Sequence, residues 1–522
     1  MSIRGRNSWL ALSVLCLGFF MVLLDTTIVN IAVPQITTSL GASLDEVLWI
    51  VDAYILAYAT LLITLGRLGD LVGQKRLFLV GLVVFAAASA ACGLAQSPTQ
   101  LIATRALQGV GGALLTPQTL AMVTMLFPEN RRGTAYGIWG GVAGLATIAG
   151  PTIGGWLVTS LGWRWIFFVN VPVGAITLVL GAWLLPDLRL NRRHRLDWQG
   201  TLLVGAGVFG VCYALIERRL YVLIPAAAVL ALFAWQQRAH RDREPLVPAG
   251  IFADRNYATM CAVQAGISFG VIGLFLPLVI FLQSVLSLSA LQAGLVLAPM
   301  SIASVASAPM AGRLADRDAG KELLIFGLLL WAGGIAWVLR ATRLSYDRGE
   351  LVTGLVIAGL GLGMTYAPLQ SIAMRRIQPQ MAGAAAGVMN TTRQIGSVLG
   401  LACVGALLEA QLVARLPGAA RENAIALPGS LRNHFLEQFE KIDSAKGLQV
   451  GVGQSGAHLP ADLPSSVRPA IEQVSERTFY DAYIPAMRFT LVVPLAVLAL
   501  ALIGALLVRR TSAELPARTP SP

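Results

Sequence analysis

Charge is scarce in these 522 residues: 13% are Asp, Glu, Lys or Arg, while 56% are hydrophobic. A soluble domain carries about a quarter charged residues, so a water-exposed globule and a disordered chain are both excluded. Histidine is nearly absent. The four present (His194, His240, His434 and His458) all lie between apolar runs. That excludes an intramembrane histidine relay, a histidine-based metal site and a Ser/His/Asp grouping within the apolar part. The five cysteines (Cys16, Cys92, Cys212, Cys261 and Cys403) fall inside apolar runs with no paired spacing. They read as small apolar residues, not as disulfides or metal ligands. No G-x-x-x-x-G-K-[ST] phosphate loop occurs, so work across a membrane would draw on an ion gradient, not on ATP.

What is present is a series of apolar runs, each long enough for the roughly 20 residues of a bilayer crossing. Spans are expected at 8–33, 47–66, 77–96, 99–127, 133–159, 163–186, 198–217, 219–237, 256–284, 289–312, 322–341, 351–374, 382–409 and 487–508. Runs of this length mean helices, because barrel strands give only short alternating segments. The fold class is therefore an all-α membrane protein with fourteen transmembrane helices. Arg4 and Arg6 precede the first run, which is too long for a signal peptide and lacks a small-residue cleavage site, so it reads as a retained helix. The net charge of +12 is not spread as a nucleic-acid face would be. The basic residues concentrate in short loops on one side, which places both termini in the cytoplasm by the positive-inside bias.

One short turn recurs. Gly66-Arg67-Leu68-Gly69-Asp70-Leu71-Val72-Gly73-Gln74-Lys75-Arg76 follows span 2, and Gly312-Arg313-Leu314-Ala315-Asp316-Arg317 follows span 10, 246 positions on. Glycines let helix ends approach closely. Asp70 can pair with Arg67, Lys75 or Arg76, or cap the next helix. The repeat makes span 9 the counterpart of span 1. It divides the chain into a six-helix bundle over 1–190, two extra helices with a charged linker over 191–255, and a second six-helix bundle over 256–522. Within the last, 410–486 reads as an extracytoplasmic insertion with two surface helices. One carries Leu431, Phe435, Leu436, Phe439 and Ile442, and the other runs through about 465–485. Paired six-helix halves with a site between them describe one large transporter class.

Ionisable residues inside a membrane are costly and mark functional sites. Asp25, Asp52 and Arg105 fall at similar depth, ~8–15 Å below the outer ends of spans 1, 2 and 4 at 1.5 Å per residue. Arg393 falls near the middle of span 13. Glu217, beside Arg218 and Arg219, reads as a surface residue. Burial favours a protonated carboxyl and a nearby cation favours the carboxylate, so Asp25 and Arg105 together can take up and release a proton. Asp52 is a second candidate. Structure alone, a buried pair that fixes helix packing, is the rival reading. Gly150, Pro151 and Gly154 in span 5 suit close packing and bending. Tyr54, Tyr58, Trp139 and Tyr366 suit a cavity for flat cations.

These motifs resemble the major facilitator superfamily, and within it the fourteen-helix drug:proton antiporters. Gly66 to Arg76 is similar to the family's cytoplasmic motif, and Gln74 departs from it where a basic residue is frequent. Leu24 to Pro34 resembles the span 1 motif, and Arg105-Ala106-Leu107-Gln108-Gly109 the span 4 motif, whose arginine is linked to proton coupling. Gly150-Pro151-Thr152-Ile153-Gly154-Gly155 resembles the antiporter motif of span 5, and Asn390-Thr391-Thr392-Arg393-Gln394-Ile395-Gly396 the span 13 signature. The resemblance implies a proton-driven exporter of hydrophobic, often cationic, small molecules in the cell (inner) membrane, associated with antibiotic resistance. It implies no enzyme activity, cofactor or metal. Its partners would be substrates, protons and the bilayer, with no nucleic acid, acting as a monomer. Coupling would rest on Asp25, Arg105 and Asp52. The substrate cavity would use Tyr54, Tyr58, Gln108, Trp139, Tyr366, Asn390 and Arg393. Gating would use Gly66, Arg67, Asp70, Gly73, Lys75, Arg76, Gly150, Pro151, Gly154 and Asp316. Export of a lipid or an endogenous secondary metabolite is the alternative, and a membrane-bound sensor a more distant one.

Overall fold

The computed structural model describes residues 5–187, 197–239, 245–342, 348–429, 432–433, 435–436 and 468–509. Every long apolar run forms a helix, since a helix alone satisfies its own backbone in lipid. The first bundle contains α1 (Gly5–Leu40), α2 (Leu44–Val72), α3 (Gln74–Leu94), α4 (Pro98–Leu126) and α5 (Glu129–Ser160). A single turn, α6 (Trp165–Phe168), leads into its last span, α7 (Asn170–Leu184). The extra pair is α8 (Trp198–Ile216) and α9 (Leu223–Ala239). After the short α10 (Ala249–Ala253), the second bundle contains α11 (Arg255–Ile280), α12 (Ala290–Leu314), α13 (Gly320–Ala341), α14 (Arg348–Met374), α15 (Ala382–Asn423), α16 (Arg468–Thr490) and α17 (Val492–Leu506).

Among the described residues, 13 stretches are long and apolar enough to cross a membrane. The fourteenth expected span is α5, a glycine-rich helix of 32 residues packed on α1 and α12. The bundles meet chiefly along two pairs, α2 with α15 and α5 with α12; α5 also touches α14, and α4 touches α15. The extra pair is not a remote linker, because α8 packs on α2 of one bundle and on α15 of the other.

The span 13 helix departs from its expected end at residue 409. α15 is one helix of 42 residues, about 63 Å at 1.5 Å per residue, against a hydrocarbon thickness of ~30 Å. Its buried stripe Leu408, Leu412, Leu416 and Ala420 keeps a four-residue spacing past the apolar run. Glu409, Arg415 and Arg421 on the same stretch lower its hydropathy without breaking that period. The helix therefore extends into what reads as loop, and packs there on α16. Asn423 Nδ2 donates to Asp481 Oδ2 at 2.9 Å, and Tyr483 Oη donates to the Pro277 carbonyl at 2.7 Å. The second expected surface helix is thus the start of α16. Of the first, Phe435 is buried and Leu436 half-buried, both helical. Leu431, Phe439 and Ile442 lie outside the described residues, as do the insertion's residues 437–467, Arg4, the linker residues Arg241 to Glu244, and Arg510.

Candidate functional site

Asp25 on α1 and Arg105 on α4 are both buried, at 0% and 1% exposure. Arg105 Nη1 stands 2.5 Å from Asp25 Oδ2. Gln108, one turn along α4, closes the group. Its Oε1 accepts from Arg105 Nη1 at 2.8 Å, and its Nε2 donates to Asp25 Oδ1 at 2.8 Å. Arg105 Nε donates to the Ile50 carbonyl at 3.1 Å, and the guanidinium lies 4.3 Å from the centre of the Tyr54 ring. A buried ion pair offsets its desolvation only when its remaining donors and acceptors are engaged, and here both carboxylate oxygens are. Gln108 thus belongs to the ion pair. Asp52 does not join it: half-buried on α2, it feels the charge of Glu217 at the end of α8. Arg218, beside Glu217, reaches across instead to Glu409 of α15 at 2.5 Å.

Tyr54 and Tyr58 lie one turn apart on α2 and stack with ring centres 5.9 Å apart. Arg393 Nη2 donates to Tyr58 Oη at 3.2 Å, so the aromatic pair leads from the ion pair to the second bundle. A cleft between the bundles is lined by Phe19, Trp139, Gln264, Tyr366, Gln370, Asn390 and Arg393, among others. Phe19 and Trp139 stack at 4.3 Å, and the indole donates to Thr119 Oγ1 at 3.0 Å. Trp139, Tyr366, Asn390 and Arg393 line this cleft, while Tyr54, Tyr58 and Gln108 lie in the layer beside it.

At the motif end, Asp70 does not cap α3, and of its three basic neighbours it pairs with Arg67 alone, at 3.9 Å. It accepts from the backbone N–H of Gly383 at 2.8 Å and of Ala384 at 2.9 Å, the start of α15 in the opposite bundle. Asp316 makes the mirror contact. It accepts from Gly133 N at 2.6 Å and from Thr134 N and Oγ1 at 2.9 and 2.6 Å, the start of α5. At Gly383 and Ala384, the second and third residues of α15, the carboxylate satisfies free N–H groups and meets the positive end of the helix, while Gly133 and Thr134 are the fifth and sixth residues of α5. Gln74 donates to Asp70 Oδ1 at 3.0 Å, and Arg67 lies 3.9 Å from Oδ2. Lys75 instead donates to the Ala182 carbonyl at 2.7 Å, and its counterpart Lys321 to Leu506 and Val508. Arg76 is exposed.

Glycine permits both crossings. A Cβ on Gly66 would stand 3.0 Å from Gly387 Cα, and one on Gly312 would stand 2.8 Å from Thr134 Cα. Gly73 turns the first copy with φ 107, a conformation that other residues rarely adopt. The second copy passes through a π turn, Ala315–Ala319, and needs no glycine there. In the last third of α5, a Cβ on Gly150 or Gly154 would stand 2.7 Å from Thr27 Cβ or 2.6 Å from Ile28 Cγ1. Gly150, Pro151 and Gly154 thus occupy the stretch of α5 that lies against α1 just beyond Asp25.

Sequence reasoning missed Phe19, Gln264 and Gln370 in the cleft and the Gly133 and Gly383 crossings. The glycine pairs Gly133–Gly137 and Gly383–Gly387, each four apart at a helix start, were the available signal. Nothing in one sequence separates a cleft-facing glutamine from any other.

Two reciprocal helix-end contacts, a buried ion pair and a cleft between paired bundles are the features of a membrane transporter built from two halves. The Major Facilitator Superfamily model matches residues 15–401, and the chain belongs to that family. It is a multi-pass membrane transporter of small molecules and not an enzyme. It is 34% identical over 452 residues to a multidrug resistance protein of Mycobacterium tuberculosis, covering 84% of this chain and 82% of that one. It is 36% identical over 422 residues to a tetracenomycin C resistance and export protein of Streptomyces glaucescens, covering 78% and 77%. Among solved structures, the human organic anion transporter MFSD10 matches with a TM-score of 0.60 at 13% identity, covering 94% of this chain and 99% of that one. At that identity the likeness is one of fold.

Proposed function

We propose that this chain is a proton-driven exporter of hydrophobic small molecules, with Asp25 as the proton carrier. Residues 1–190 and 256–522 form the two moving halves, and one chain holds the whole pathway, so it acts as a monomer. The motif end and both termini face the cytoplasm in this reading, and the conformation is the one closed on that side. The observation that carries it is the closed Asp25–Arg105–Gln108 group, with no exposed atom to lose or gain a proton while α1 and α4 stay together. α1 packs on α5, and α5 is held at its start by Asp316. Release of the motif end therefore lets α5 and α1 move, parting Asp25 from Arg105. Without the cation, burial favours the protonated acid; re-formation of the pair expels the proton. Asp52, outside this group, serves as a secondary acid on the exit side.

The test is transport by purified protein in liposomes under an imposed pH gradient. Asp25→Asn is expected to bind substrate and to lose gradient-driven accumulation. Full gradient-driven transport by that variant would rule out Asp25 as the essential carrier.

A further inference from the structure

The cleft carries a charge. Among its lining residues Arg393 is cationic and none is acidic. The nearest ion pair, Asp25 with Arg105, is closed on itself and adds no net charge. Two buried polar atoms at the cleft have no hydrogen-bond partner: Nε of Arg393, a donor, and Oε1 of Gln370, an acceptor. Gln370 is 3% exposed, and its amide nitrogen is turned to Gln264 Oε1 at 3.4 Å, leaving the oxygen free. Arg393 is held by Tyr58 through a different nitrogen, so its Nε–H remains available. The stacked Phe19 and Trp139 supply a flat wall. In this conformation the cleft has room for little more than a water molecule, as a site between closed bundles would. An unpaired donor and an unpaired acceptor in such a place each cost free energy until a guest engages them.

Building on the exporter reading, we propose that Arg393 and Gln370 select substrates by one oxygen-bearing edge. Arg393 Nε donates to an ionised or hydrogen-bond-accepting oxygen, Gln370 Oε1 accepts from a neighbouring hydroxyl or amide, and an aromatic body lies on the Phe19–Trp139 wall. The preferred class is planar aromatic carboxylates, phenolates and hydroxy-carbonyl compounds. A matched ammonium compound is disfavoured, against the flat cations that the aromatic residues alone suggest, because it would desolvate beside a fixed cation with no carboxylate to meet it.

Three probes share one ring system and differ in charge: anthracene carboxylate, anthracene methanol and anthracene methylammonium. Their binding to the purified full-length protein at neutral pH is read by tryptophan quenching, with no gradient present. The carboxylate is expected to bind tightest and the ammonium weakest, the two differing by at least about tenfold, the ratio given by 1.4 kcal/mol. Arg393→Gln should collapse that ratio and Arg393→Lys keep its sign. Gln370→Glu, which leaves Arg393 in place, should bring the ammonium up to or past the carboxylate. Equal or tighter ammonium binding by the unaltered protein would overturn the proposal. So would an unchanged ratio in Arg393→Gln, or the absence of binding by all three. Loss of proton coupling would leave the binding order intact, so failure of the exporter reading is read separately.

Discussion

At the residue scale the site rests on a few polar side chains placed where each has one geometry. Arg105 spends one nitrogen on the Ile50 carbonyl and another on Asp25 and Gln108. A lysine there keeps the charge but cannot make these contacts together. Arg105→Lys is expected to fold and to lower gradient-driven transport by about ten- to a hundredfold, the cost of ~1.4–2.8 kcal/mol. Initial rates in liposomes check this, and rates equal to the unaltered protein would contradict it. Away from the membrane interior, Asp197 caps α8 and accepts from Gln236 and Gln237 of α9. Burial alone would raise its pKa, but hydrogen bonds from Gly200, Gln236, Gln237 and Leu246 outweigh that and hold it below the usual carboxylate range. A carboxyl lowered on folding stabilises above its unfolded value of about 3.9 and loses that contribution as the pH falls through its folded value. Asp197→Asn should therefore melt below the unaltered protein at pH ~6, and the gap should close below pH ~3.9. A gap independent of pH would show that the charge plays no part.

At the element scale the motif end is a pair of helix crossings. α2 crosses α15 through Gly66, Gly383 and Gly387, and α12 crosses α5 through Gly133, Gly137 and Gly312. Each crossing carries a carboxylate from one bundle on the start of a helix in the other. Gly66→Ala places a methyl against the Gly383 carbonyl and should part the motif end at a cost of about 1–3 kcal/mol. Asp70→Asn and Asp316→Asn should each shift the population the same way, and the double variant further. Spin-label distances across that end check both, and unchanged distributions in all of these variants would contradict the account. Much of this was legible in the sequence, because a glycine-flanked aspartate repeated at a fixed offset has few explanations. The target of Asp70 was not. Its three basic neighbours are local, whereas the N–H groups it meets belong to residues more than 300 positions away. The end of α15 was missed for a related reason: hydropathy fell at Glu409 while the helical period continued.

At the scale of the whole molecule the repeat is longer than the motif. The capping boxes Ser43–Glu46 and Ser289–Gln292 start α2 and α12. They stand at the same 246-position offset as Gly66 and Gly312, Asp70 and Asp316, and Lys75 and Lys321. The aspartates reach across to the opposite bundle while the lysines hold the end of a helix in their own. In the proposed cycle each motif copy has one arm that releases as the halves move and one that keeps its half intact. α8 spans the same seam, which gives the extra pair a place beside the moving interface. The proposed topology puts the projecting end of α15 outside and its start inside. A single cysteine at Glu422 should label in intact cells, and one at Gln378 only after permeabilisation; the reverse order would invert the assignment.

The central claim, that Asp25 is the proton carrier, is tested most directly by counting protons. Purified protein in weakly buffered detergent solution is mixed with a transported substrate, and the pH change is read as binding proceeds. The account predicts proton release from the unaltered protein and none from Asp25→Asn, with substrate still bound by both. Undiminished release from Asp25→Asn would contradict it.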